Sequence, residues 1–136
     1  MLEQYLQQLT SDLELPPSGV KDESGHYYLD LPPDMKILLK ELGPGIYLFS
    51  EMGAPPLKKK EDVFAHLMKA NFLGQGTGEH VIGMDAEEKF LTLSRTIAYD
   101  MNYASFKELI EDFANYLGYW RAELDRMKKA AEEDII

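Results

Sequence analysis

The fold is decided by residues 70–97, which read ANFLGQGTGEHVIGMDAEEKFLTLSRTI. The segment gives the end of a helix, a glycine-rich break, a short apolar strand, an acidic turn and an alternating strand. Gly74 stands where a left-handed helix end is favoured. Val81 to Met84 and Phe90 to Ile97 are the two predicted strands, joined through Asp85–Glu88. The segment therefore predicts a helix followed by a β-hairpin.

The rest of the chain extends this unit in both directions. Helical spacing of apolar residues ends at Pro16–Pro17, returns over Lys60 to Leu73, and resumes after Asn102, a predicted N-cap. It gives way at the C-terminal end to a predicted solvated tail, DRMKKAAEED. Three strand-like segments with short connections follow the first helix: His26–Leu31, Met35–Leu42 and Ile46–Met52. The order α-β-β-β-α-β-β-α predicts an α+β fold with a twisted antiparallel sheet flanked by helices, in one domain over residues 1–136.

The composition limits the classes of partner. The chain has 136 residues, with 24 acidic and 14 basic side chains and a formal net charge of −10. Such a charge repels phosphate backbones and anionic lipid surfaces, so we expect neither nucleic acid nor a membrane as partner. The absence of cysteine excludes disulfides and zinc–thiolate sites, and it suits a reducing cytosol. No signal peptide or membrane span is evident in the sequence, so we expect a cytoplasmic protein.

The sequence contains no pattern typical of catalysis. His26, His66 and His80 have no metal-ligand spacing and are predicted to be surface or boundary imidazoles. The glycine run 74–78 follows a helix instead of preceding one, so the helix dipole has the wrong sign for a phosphate. We therefore interpret it as a flexible turn. No nucleophile elbow or separated acid–base pair is present, and we expect a protein that is not an enzyme and has no cofactor or metal.

The predicted sheet has more apolar surface than one layer of helices covers. Leu29 and Leu31 line one face of the first strand, and the third strand has Leu48 on one face and Phe49 on the other. One face should pack on the C-terminal helix. The other requires the first helix, a second subunit or a bound peptide as its cover. This surplus favours oligomerisation or peptide capture.

Five segments, taken in order and with their spacing, match a known pattern: IYLFSEMGAPP from Ile46, LMKANFLGQGTG from Leu67, VIGMD from Val81, FLTLSRTI from Phe90, and the helix that carries Phe106 and Trp120. On these segments the chain resembles the class I type III secretion chaperones of the CesT/Tir-chaperone family. The resemblance implies a homodimer in the bacterial cytoplasm that binds the N-terminal region of one or more effector proteins. It further implies that the effector is kept extended and is delivered to the secretion ATPase or sorting platform, without nucleotide binding by the chaperone.

The resemblance also implies two groups of contact residues. The second helix and the strand after it would form the dimer interface, at Val63, Phe64, Leu67, Met68, Val81 and Ile82. The first helix and one sheet face would bind the effector, at Leu2, Tyr5, Leu6, Leu9, Leu29, Leu31, Ile37 and Leu48.

Two other functions remain open on the sequence. An acidic protein–protein interaction module of the immunity or anti-activator type would bind a folded partner instead of an extended one. A small-molecule enzyme or ligand-binding protein would require a deep pocket with convergent polar groups, which the sequence does not indicate.

Overall fold

The structure of the chain is a computed structural model that describes residues 1–74 and 76–133. Residue 75 of the predicted glycine-rich turn and residue 134 of the predicted tail lie outside the described residues, as do residues 135 and 136. The elements follow the predicted order: α1 (Leu2–Asp12), β1 (His26–Leu31), β2 (Met35–Glu41), β3 (Ile46–Gly53), α2 (Lys60–Asn71), β4 (Val81–Met84), β5 (Leu91–Ile97) and α3 (Tyr103–Glu133).

The five strands form one sheet in the order β1-β2-β3-β5-β4, so that β1 and β4 are its edge strands. The meander β1-β2-β3 is antiparallel, with Leu29 opposite Ile37 and Leu39 opposite Leu48. The hairpin β4-β5 is also antiparallel and places Ile82 opposite Leu93. The predicted α+β fold is confirmed.

Local signals explain where the helices begin and end. Asn102 caps α3 as predicted, because its Oδ1 accepts a hydrogen bond from the Ser105 N–H at 2.8 Å. Helix α2 ends at Asn71, two residues before the predicted end, and a 3₁₀ turn continues to Gly74 at a left-handed φ of +70°. Helix α3 continues to Glu133 through the described part of the predicted solvated tail, whose side chains are mostly exposed as predicted, with Ala131 buried among them.

The chain forms two compact units, and the prediction of one domain over residues 1–136 stays a prediction. The first unit comprises residues 1–50 and 95–112. Its core contains the buried face of α1 and alternate side chains of the meander: Leu2, Leu6, Leu9, Tyr27, Leu29, Ile37, Leu39, Ile46 and Leu48. Tyr5 joins α1 to the start of α3, since its hydroxyl donates to the Met101 carbonyl at 2.8 Å and its ring centroid lies 5.4 Å from that of Phe106.

The second unit comprises residues 51–94 and the chain from residue 113 onward. Its core takes Val63, Leu67 and Ala70 from α2, together with Trp120 and Leu124 from α3. These α2 positions have the i, i+4, i+7 spacing of one buried stripe.

The described part of the connection from α2 to β4 is closely packed, since a Cβ at Gly76 would lie 2.9 Å from that of Ala70 and one at Gly78 would overlap the Tyr116 ring. The predicted flexibility of this turn stays a prediction. His80 is buried and not at a surface or boundary. Its Nδ1 lies 2.7 Å from the Thr77 carbonyl oxygen, and its ring contacts that of Tyr116 at a centroid distance of 4.9 Å. The aromatic side chains of α3 cover this imidazole, which sequence spacing does not reveal.

Candidate functional site

The first unit has a half-buried aromatic and aliphatic surface on the sheet face opposite its core. We call it the outer face, and it consists of Tyr28, Lys36, Leu38, Lys40, Tyr47 and Phe49. The register places Tyr28 opposite Leu38 and Leu38 opposite Phe49, so these three side chains form one row across three strands. Tyr28 is 38% exposed, and Leu38 and Phe49 are half-buried. Cross-strand rows of this kind present a continuous apolar strip.

Two lysines border this strip. Lys36 and Lys40 precede and follow Leu38 by two residues on β2, so both lie on the outer face. The Lys36 ammonium lies 5.4 Å from the centroid of the Tyr28 ring, within the range of a cation–π contact. Asp30 stands opposite Lys36 in the register. Two lysines against the one carboxylate of Asp30 leave this face a local positive charge in a chain of net charge −10, which suits an apolar segment that carries negative charge.

The free edge of β1 is partly covered by the segment that precedes it. The Asp22 carboxylate accepts hydrogen bonds from the His26 N–H at 2.9 Å and the Tyr28 hydroxyl at 3.1 Å. The hydrogen bond from the His26 backbone, above all, lowers the pKa of Asp22, and the hydrogen bond to Asp22 raises the pKa of Tyr28. The Ser18 hydroxyl donates to the Tyr28 carbonyl at 2.6 Å. These bonds hold residues 18–24 along β1.

The structure places most of the predicted effector-binding residues in the core of the first unit. Tyr5 and Leu31 are half-buried. The other six are buried to within 1% exposure: Leu2, Leu6, Leu9, Leu29, Ile37 and Leu48. Effector contact at these eight residues stays a prediction, and the six buried side chains can contact an effector only if their packing opens.

The predicted dimer residues divide between two stripes of α2 and the two faces of β4. Val63, Leu67 and Ile82 are buried within the second unit. Phe64 is half-buried, whereas Met68 is 71% exposed and Val81 is 55% exposed. Whether these six residues contact a second copy stays a prediction.

A second apolar stripe runs along α2 into the 3₁₀ turn that follows it, and continues beyond the predicted set. Phe64, Met68 and Phe72 recur at i, i+4 spacing, and Phe72 is 63% exposed. We call Phe64, Met68, Phe72 and Val81 the exposed stripe. Helical periodicity in the sequence groups Phe72 with Val63 and Leu67 on one broad face. The separation of that face into a buried and an exposed half requires the tertiary structure.

In the second unit, a cleft of about 290 Å³ lies between α2 and α3. Its lining residues include Lys59, Asp62, Val63 and Met127. Ion pairs form beside this cleft. Arg126 pairs with Glu123, and His66 Nε2 lies 3.9 Å from the same carboxylate. The Arg126 hydrogen bond lowers the pKa of Glu123.

Within residues 1–74 and 76–133, no cluster of His, Asp or Glu has the geometry of a metal site. No helix in that part of the chain is long and apolar enough to span a bilayer.

Comparisons with known proteins identify one family and several structures of similar fold. The model of the Tir chaperone protein (CesT) family matches residues 4–121. The fold is similar to that in the ExsC–ExsE complex, with a TM-score of 0.74 and 17% identity over 90% of this chain and 92% of that one. It is also similar to the Yersinia pestis type III secretion chaperone SycH bound to a fragment of YscM2, with a TM-score of 0.64 and 12% identity over 88% and 99%.

A third similar structure is the heterodimeric ExoU–SpcU complex from the type III secretion system of Pseudomonas aeruginosa. Its TM-score is 0.62, with 16% identity over 98% of this chain and 99% of that one. No curated protein matches the chain by sequence. At these identities the solved structures support the fold, and the family model supports the family.

Proposed function

Because the chain belongs to the Tir chaperone protein (CesT) family, we propose that it is a type III secretion chaperone that binds the N-terminal region of one or more effectors. The observation that carries the proposal is the family match over residues 4–121, which includes both the outer face and the exposed stripe. The similar structures include a chaperone bound to a protein fragment, and this supports an effector as partner here.

The effector segment binds extended across the outer face. Apolar side chains of the segment pack on Tyr28, Leu38 and Phe49, while Lys36 and Lys40 pair with its carboxylates. An extended segment can also add a strand to a sheet edge, where main-chain hydrogen bonds supply affinity and side-chain pockets supply specificity. Burial of apolar surface by such a segment offsets an ordering cost of about 2–5 kcal/mol. Leu29 and Leu48, which were predicted as effector contacts, are buried on the opposite face of the strands that carry the outer face.

The chaperone is a homodimer, and the exposed stripe is its interface. Met68, Phe72 and Val81 expose more than half of their side-chain surface, and a second copy of the same stripe would remove this apolar area from water. Val63, Leu67 and Ile82 support the stripe from beneath.

The protein acts in the bacterial cytoplasm, binds no nucleotide and catalyses no reaction. It delivers the bound effector to the secretion ATPase or sorting platform. The acidic composition and the lack of a catalytic residue pattern support this role.

The test is capture of an effector by the tagged full-length chain in its native bacterium, followed by mass spectrometry and limited proteolysis of the complex. We expect one or a few secreted proteins bound through an N-terminal segment that remains sensitive to protease outside the protected contact. A compact, protease-resistant partner would instead favour the immunity or anti-activator type of module. Light scattering on the purified chain should give twice the mass of one chain, and a monomer would contradict the dimer.

A further inference from the structure

The edge strand β4 is closed by one side chain of the same unit. Asn71 is the last residue of α2, and its carboxamide makes two hydrogen bonds to the backbone of Ile82. The Nδ2 donates to the Ile82 carbonyl at 2.7 Å, and the Oδ1 accepts from the Ile82 N–H at 2.8 Å. Both backbone groups of Ile82 are therefore satisfied from outside the sheet.

This pair of bonds reproduces what an added strand would provide. In an antiparallel ladder, alternate residues direct both backbone groups towards the same neighbour. The Asp85 N–H donates to the Phe90 carbonyl, so the odd-numbered residues of β4 bond to β5 and Ile82 directs its groups outward. A carboxamide offers one donor and one acceptor side by side, as a strand residue does. Asn71 therefore occupies the position at which a further strand would pair.

The local backbone holds Asn71 in this position. The Gly76 N–H donates to the Ala70 carbonyl at 2.9 Å, which folds the chain back immediately after α2. With only four residues, β4 directs two residues outward, Ile82 and Met84. Asn71 closes one of these two positions, and short or closed edges are the usual protection against unwanted strand pairing.

We propose that Asn71 closes the β4 edge at Ile82 against strand addition, which disfavours β4 and leaves the β1 edge to an extended effector segment. This inference rests on the proposed function and specifies where the added strand lies. The β1 edge differs in how it is closed. The Asp22 carboxylate accepts a hydrogen bond from the His26 N–H. At Tyr28, the carbonyl accepts a single hydrogen bond from the hydroxyl of half-buried Ser18. Asp30 lies two residues after Tyr28, so its backbone groups also point to the free edge, towards the end of β1.

The first measurement is amide hydrogen exchange by NMR on the purified chain without effector. In Asn71→Leu, which keeps similar volume but removes both polar groups, the Ile82 amide should exchange about tenfold faster or more. Asn71→Asp retains the acceptor for the Ile82 N–H but sets its second oxygen against the Ile82 carbonyl, so exchange there should rise less than in Asn71→Leu. Asn115→Ala, a change at an exposed asparagine of α3, is the matched control and should change nothing.

An unchanged exchange rate of the Ile82 amide in Asn71→Leu would overturn the closure. Equal acceleration of exchange in Asn71→Leu and Asn71→Asp would also overturn it, because a role in packing alone predicts no difference between a hydrogen-bond acceptor and an apolar group.

The second measurement is light scattering across a concentration series. Asn71→Leu should form assemblies larger than the wild type through its opened edge, and an unchanged mass would count against the proposal. Neither measurement uses an effector, so failure here leaves the chaperone function standing, and failed effector capture leaves the closure standing.

Discussion

The indole Nε1 of Trp120 donates a hydrogen bond to the Gly76 carbonyl oxygen at 3.0 Å. It fastens the connection between α2 and β4 to α3, across 44 residues of sequence. Trp120 is buried and needs a partner for its N–H, because an unpaired buried donor is costly. The glycine-rich connection thus becomes part of the core of the second unit, and it positions Asn71 at one end and β4 at the other.

The close approach at Gly76 predicts a specific loss of stability. Gly76→Ala places a Cβ 2.9 Å from the Ala70 Cβ and 3.0 Å from its Cα, so backbone must move. We expect the free energy of unfolding to fall by about 1–3 kcal/mol, measured by urea denaturation. Gly43→Ala is the control, since nothing lies within 4 Å of its new Cβ. Equal stability of both variants would show that the connection can relax.

The exposed stripe should determine the oligomeric state. Met68→Asp places a charge at a side chain that is 71% exposed in the single chain, so the fold should persist. Burial of that charge in the dimer is unfavourable, and we expect the dissociation constant to rise by about tenfold or more. Analytical ultracentrifugation measures it. Leu57→Asp, at a side chain that is 98% exposed but not part of the stripe, should leave the dimer intact. Dissociation by both variants would indicate a general effect of charge.

The outer face should determine effector affinity. Leu38→Asp breaks the apolar row at its centre and places a carboxylate between Lys36 and Lys40, where it competes with the effector. We expect affinity for the captured effector segment to fall by about tenfold or more, by calorimetry. Ala104→Asp makes the same charge change at an exposed position of α3 and should bind normally. Circular dichroism should show both variants folded, and normal binding by Leu38→Asp would place the effector elsewhere.

The two sheet edges can be compared by proline substitution. Proline removes a backbone N–H and is tolerated on an edge strand where that N–H points away from the sheet. Asp30→Pro should therefore weaken capture of the effector segment about tenfold, whereas Met84→Pro on β4 should leave it unchanged. Isothermal calorimetry with the captured segment measures both. The reverse pattern would move the added strand to β4.

Stability at alkaline pH should depend on Tyr103. Its hydroxyl donates to Asp12 at 2.6 Å, and burial, together with this bond, raises the pKa of Tyr103 to about 12. A raised pKa means that the folded state retains the proton. The contribution to stability is therefore complete below pH 10, the ordinary value, and is lost as the pH rises towards 12.

Tyr103→Phe should cost about 0.5 kcal/mol near neutral pH, since Asp12 is exposed to solvent. The difference between the variant and the wild type should disappear across the alkaline window in urea titrations. Tyr99→Phe, at an exposed ring, is the control and should follow the wild type at every pH. A constant difference for Tyr103→Phe would mean that Asp12 does not hold the proton.

The sequence predicted elements whose cause is local. Asn102 caps α3, Gly74 has a positive φ, and the hairpin strand Val81–Met84 has its predicted bounds. These features depend on residues within one or two turns, so spacing and residue type are sufficient. The candidate site could be predicted from the sequence only in part. The apolar face Leu29–Ile37–Leu48 was recognised as a feature of the sheet, but its buried state was not, because an alternating strand does not reveal which face is covered.

The sequence by itself determined the order and type of the elements, and through five matching segments the family, because both are encoded in local periodicity and motif spacing. Only the tertiary structure decided which apolar side chains remain exposed. It buried His80 against α3, divided the broad face of α2 into a core stripe and an exposed stripe, and brought Asn71 to Ile82. These outcomes depend on which remote element packs on a given face, and periodicity along a single element contains no information about its neighbour.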